Sequence, residues 1–141
     1  MHVNSRTIAV VRQWIAKAEN DLKNAAHTLK LGRGCPTDTV SFHAEQCVEK
    51  YLKAFLVYKG IDFPRTHDIE RLVALLPENI WLRLSVEEQR RLTAYATVTR
   101  YPGEYEPIPL REAQQSVRLA RRARKEIRAL LPREVLARRQ K

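Results

Sequence analysis

The chain has 141 residues, 44% of them hydrophobic and 30% charged, the balance of a soluble globular domain with a single core. Its apolar runs are too short for a membrane span, and Arg6, Arg12, Lys17 and Glu19 leave no signal-peptide core, so the expected compartment is the cytoplasm. The net charge of +10 is uneven: from residue 111 onward eleven Lys and Arg face only Glu112, Glu126 and Glu134, a surplus that points to an acidic partner such as nucleic acid.

The first predicted helix runs from about Arg6 to Leu31, with Ser5 as its N-cap. Ile8, Val11, Ile15, Ala18, Leu22, Ala25 and Leu29 alternate three and four apart along it, a narrow apolar seam. Gly32 and Gly34 stop it, and Pro36 with Thr37 or Asp38 opens a second helix that reaches Gly60. The apolar residues of helix two (Val40, Ala44, Cys47, Val48, Tyr51, Leu52, Phe55, Leu56) cover more than one face, which makes it the central helix. Thr66-His67-Asp68 starts a short third helix with Ile69, Leu72, Val73 and Leu76 inward, closed by Pro77. Ser85 and Glu88 form a capping box for helix four, whose inner residues are Leu92, Tyr95, Ala96 and Thr99. Pro107 and Pro109 lead into helix five, with Ala113, Val117, Ala120, Ile127 and Leu131 inward, and Pro132 ends or kinks it. No segment has strand periodicity. The expected fold is all-α, an antiparallel up-and-down bundle of four main helices plus a short one over residues 1–132, with a basic tail at 133–141.

Cys35 and Cys47 read as two reduced thiols, because their spacing fits neither a zinc site nor a disulfide framework. His67-Asp68 suggests a metal phosphohydrolase, but His2, His27 and His43 lie on separate segments with no ligand spacing, so Asp68 reads better as a helix start. Neither a metal nor a cofactor is expected. His43, Glu45, Gln46, Glu49, Lys50 and Lys53 make a polar stripe on helix two. It reads as a solvated surface ladder or as the lining of a groove facing the turn at Arg100-Tyr101-Pro102-Gly103-Glu104-Tyr105. There an arginine is followed by a forced turn and a tyrosine, a geometry suited to gripping a phosphate, since guanidinium donates two parallel hydrogen bonds and stays charged. Pairing of Arg100 with Glu104, with Tyr105 merely packed, is the competing reading.

Three segments then resemble one family in consistent order. Ser41-Phe42-His43-Ala44-Glu45-Gln46-Cys47-Val48-Glu49-Lys50-Tyr51-Leu52-Lys53-Ala54 is similar to the second-helix signature of HEPN domains. Gly60-Ile61 through Phe63-Pro64-Arg65-Thr66-His67-Asp68-Ile69 resembles their following loop and third-helix start, and Arg100-Tyr101-Pro102-Gly103 the segment after their fourth helix. The resemblance covers about residues 8–131. It implies an HEPN-like bundle that forms a homodimer with two sites facing a shared cleft, and a minimal nucleotidyltransferase as partner in a toxin–antitoxin or related two-component module.

Catalytic relatives are metal-independent ribonucleases with a histidine four to six residues after the arginine and often a tyrosine two further on. Arg100 matches the arginine, Tyr105 stands at the nearest-spaced histidine position, and Pro107 at that of the later tyrosine; no histidine follows Arg100. A tyrosine with pKa near 10 is a poor base at neutral pH, where histidine serves well. The resemblance therefore favours phosphate binding over turnover. Arg100 and Tyr105 are the candidates for any catalysis. Arg100, Tyr101, His43, Lys50, Lys53, Arg118, Arg121, Arg122 and Lys125 are the candidates for contacting RNA or nucleotide phosphates. Two alternatives stand beside this reading. One is an endoribonuclease using Arg100 with Tyr105 or with a distant histidine such as His43 or His67, and the other a helical adaptor that meets an acidic protein through its tail.

Overall fold

Asn4 rather than Ser5 begins the first helix. Its side-chain oxygen accepts the Thr7 backbone N–H at 2.8 Å, so Ser5 is already the first helical residue of α1 (Ser5–Leu29) in this computed structural model. The structure describes residues 3–98 and 106–136. After α1 come α2 (Thr37–Tyr58), α3 (Ile69–Val73), α4 (Val86–Val98), α5 (Leu110–Leu130) and a short α6 (Arg133–Leu136), with no strand among the described residues.

Local signals decide most boundaries. Gly60 adopts φ +71° just past α2, and the Ile61 N–H closes back on the Leu56 carbonyl at 2.9 Å, the wide loop of a helix-ending motif that favours glycine. Asp68 caps α3 by accepting the Arg71 N–H. Ser85 and Glu88 form the reciprocal capping box, the Ser85 N–H donating to Glu88 Oε1 at 2.9 Å and the Glu88 N–H to Ser85 Oγ at 3.1 Å.

Side-chain pairs fix the directions. Asp21 of α1 meets His43 and Lys50 of α2, while Glu19 meets Tyr51, so the two helices run antiparallel. Ser41 faces Ser116 and Tyr51 faces Arg128, so α2 and α5 run parallel. Glu88 pairs with Arg122 and Tyr95 with Glu112, which sets α4 antiparallel to α5. The result is an up-and-down bundle of α1, α2, α4 and α5 with α3 beside α4. Packed against α1, α3, α4 and α5, α2 is the central helix that its many-sided apolar pattern implies.

The core joins Val11, Ile15, Ala18 and Leu22 of α1 to Val40, Val48, Leu52 and Phe55 of α2, and to Leu92, Val117, Ala120 and Ile127. Cys35 and Cys47 are both free and buried. The packed body continues past Pro132. Val135 of α6 is buried, and the Arg12 guanidinium donates to the Glu134 backbone carbonyl. α6, at the start of the basic segment 133–141, thus packs against α1, because an apolar residue after the proline finds a seat there; residues 137–141 lie outside the described residues.

Candidate functional site

The polar stripe of α2 is turned inward. Glu45 is 0% exposed, Glu49 2% and Lys53 7%, which overturns the solvated ladder. Residues one turn apart share a face, but spacing alone does not say which way that face points. Lys53 Nζ lies 2.8 Å from Glu49 Oε2, and 5.5 and 5.9 Å from the Trp14 and Phe63 ring centres. His67 Nδ1 reaches Glu49 Oε1 at 2.9 Å, and Gln46 Nε2 donates to Glu45 Oε1 at 2.6 Å.

Burial, then the neighbouring Glu49 charge, pushes the Glu45 carboxyl up to about 9. At neutral pH it is a neutral acid. Its Oε2 is buried without a hydrogen-bond partner. Glu49, by contrast, has Lys53 on one oxygen and His67 on the other.

A second cluster centres on Asp21, an acid inside the apolar seam of α1 and itself buried. It accepts from Lys50 Nζ at 2.5 Å and holds His43 Nδ1 at 2.8 Å. A third joins three helices: the Tyr51 hydroxyl donates to Glu19 Oε2 at 2.5 Å, and the Arg124 guanidinium grips both Glu19 oxygens at 2.7 and 2.9 Å. Burial pushes the Tyr51 hydroxyl upward, and its bond to Glu19 adds to this. Burial also opposes ionisation of Glu19, but the bonds from Arg124 and Tyr51 prevail and hold its carboxyl below the ordinary value.

The cations expected to meet phosphate divide accordingly. Lys53, Lys50 and His43 are committed to buried carboxylates. On α5, Arg122 pairs with Glu88 and Arg124 with Glu19, while Arg118, Arg121 and Lys125 are exposed together with Arg111. Arg118 bonds only the neutral Gln115, and the other three make no ion pair among the described residues. Arg100, Tyr101 and Tyr105 lie outside the described residues. What flanks them is fixed: the Tyr95 hydroxyl donates to Glu112 at 2.6 Å, joining the end of α4 to the start of α5.

Chemically, the described side chains offer two things. His67 has half its side chain exposed and its Nδ1 held by a buried carboxylate. The exposed face of α5 offers a row of unneutralised cations. No group of His, Cys, Asp and Glu among the described residues is arranged to hold a metal ion. Glu19 and Asp21 escape a reading based on apolar periodicity, although Asp21, three residues after Ala18 and next to Leu22, sits in the seam and signals a buried acid needing partners.

The sequence model of the HEPN domain family matches residues 11–130. Among solved structures, the chain is similar to TT1696 from Thermus thermophilus, at 28% identity and a TM-score of 0.73, covering 86% of this chain and 98% of that one. It is also similar to ST0689, an archaeal HEPN homologue, at 26% identity and a TM-score of 0.65, covering 85% of this chain and 96% of that one. A comparison with curated proteins finds no match.

Proposed function

This chain belongs to the HEPN domain family, and on that premise we propose that it binds RNA or nucleotide phosphates along the cationic face of α5. It acts as a homodimer with a minimal nucleotidyltransferase as partner, in a two-component module of the toxin–antitoxin kind. The observation that carries this reading is the exposed row of Arg111, Arg118, Arg121 and Lys125, to which the described residues supply no carboxylate. Like charges gathered on one face repel each other, and a polyanion relieves that repulsion while releasing its own counterions. Fluorescence anisotropy with a labelled RNA tests it. Arg118→Glu combined with Arg121→Glu and Lys125→Glu should abolish binding at moderate salt; equal binding by this variant refutes the site. Co-purification of the tagged chain with the product of an adjacent reading frame tests the partner.

A second reading, metal-independent RNA cleavage, draws support from the Glu49–His67 pair. With Nδ1–H donated to Glu49, the opposite ring nitrogen carries a lone pair able to take the proton of a ribose 2′-hydroxyl. The 2′-oxygen then forms a bond to phosphorus, the bond from phosphorus to the 5′-oxygen breaks, and the same proton passes to that oxygen. Incubating RNA with the parent, His67→Ala and Arg100→Ala proteins decides the matter: equal cleavage by all three marks contamination and sinks this reading.

A further inference from the structure

Trp81 is 80% exposed, an unusual setting for the largest apolar side chain. The loop that carries it is well anchored. Leu82 and Leu84 on either side of Arg83 are buried in the core. The Ile80 N–H returns to the Pro77 carbonyl at 2.9 Å, and the Arg83 N–H donates to Glu126 of α5 at 3.0 Å. The ring is therefore displayed by a fixed backbone.

Trp81 borders an open pocket of about 570 Å³ whose walls include Leu76, Pro77, Ile80 and Leu82, with Arg122 on the α5 side. That size suits a small planar ligand. Among the described residues that line it, Glu78 and Arg83 are the charged groups besides Arg122, which Glu88 already neutralises. Along α5, Arg118 lies one turn before Arg122 and Lys125 one turn after, both exposed, so the pocket opens beside the cationic row.

We propose that Trp81 stacks an unpaired base of single-stranded RNA whose phosphates follow the exposed cations of α5. The inference rests on the phosphate-binding reading above and names its ligand as unpaired strand. An aromatic platform beside a basic track is how single strands are held without sequence readout, since every base has a π-face. Charge argues against a second copy of the chain as occupant: a two-fold interface here would bring two copies of the same cationic α5 face together.

The test uses the full chain with two probes, a labelled twelve-nucleotide adenylate RNA and inorganic polyphosphate. Trp81→Ala should weaken RNA binding about 5- to 150-fold, the range for one stacked base, while Trp81→Phe stays near the parent. Polyphosphate binding should not change with either variant. RNA should quench tryptophan emission in the parent and much less in Trp81→Phe, where the half-buried Trp14 alone reports. RNA affinity unchanged in Trp81→Ala overturns stacking while leaving the phosphate reading intact. Loss of a dimer in Trp81→Ala with RNA affinity intact assigns the ring to a protein interface and overturns the proposal. Failure of the parent to bind either probe removes both readings together.

Discussion

The Glu49 carboxylate and the His67 imidazole meet at 2.9 Å, one buried to 3% and the other 51% exposed at the side chain. The same carboxylate holds the buried Lys53 ammonium at 2.8 Å with its other oxygen. One acid thus neutralises a core cation and orients a histidine at the surface.

Removing that acid should be costly. Glu49→Ala leaves the Lys53 charge buried and unpaired, which is expected to cost about 3–5 kcal/mol in urea unfolding. Adding Lys53→Met should recover most of the loss, because the cation that needed a partner is gone and an apolar chain can lie against Trp14 and Phe63. An unchanged unfolding midpoint in Glu49→Ala would contradict the pairing.

Glu45 gives the fold a particular pH dependence. Its native carboxyl is pushed up to about 9 from an ordinary 4.5, so the native state holds a proton that the unfolded chain releases between those values. This contribution to stability therefore falls as pH rises across that window, on the order of 1 kcal/mol per unit. Glu45→Gln keeps the shape without the ionisation. Its stability relative to the parent should climb from pH 5 to pH 8 in denaturant titrations; parallel curves would refute the neutral buried acid.

At the junction of α1, α2 and α5, the Tyr51 hydroxyl donates to Glu19 and accepts from Arg128. Tyr51→Phe removes one buried group and its bond to a charged partner, at an expected cost of about 1–3 kcal/mol by thermal or urea unfolding. Arg124→Ala strips the forked contact from Glu19; since both side chains are about a third exposed, screening should keep that loss nearer 1 kcal/mol. A larger loss in Arg124→Ala than in Tyr51→Phe would reverse this ordering.

Salt dependence distinguishes a phosphate track from an incidental basic surface. Each cation that neutralises a phosphate of a single strand contributes about 0.7 to the slope of log affinity against log salt. Replacing Arg118, Arg121 and Lys125 together by Gln should lower that slope by about 2. A weakened affinity with an unchanged slope would place the RNA elsewhere.

The sequence alone determined the helical course and the family. Ser85 and Glu88 announce α4, Gly60 and Asp68 bracket the loop before α3, and the Ile8 to Leu29 seam marks one side of α1 as core. Such signals are readable because caps, glycine turns and apolar periods act within a few residues of chain. The fate of the charged residues needed the tertiary structure. Lys53 and Arg121 are both basic residues in the middle of long helices, yet one is buried against Glu49 and the other faces solvent. The helical period places side chains on a common face; only the neighbouring helices decide whether that face meets water or an acid. Because a charge is tolerable inside only where a partner reaches it, as Lys53 has Glu49 one turn away and Asp21 finds Lys50 on another helix, the division between buried network and exposed cationic row is a property of the assembled bundle.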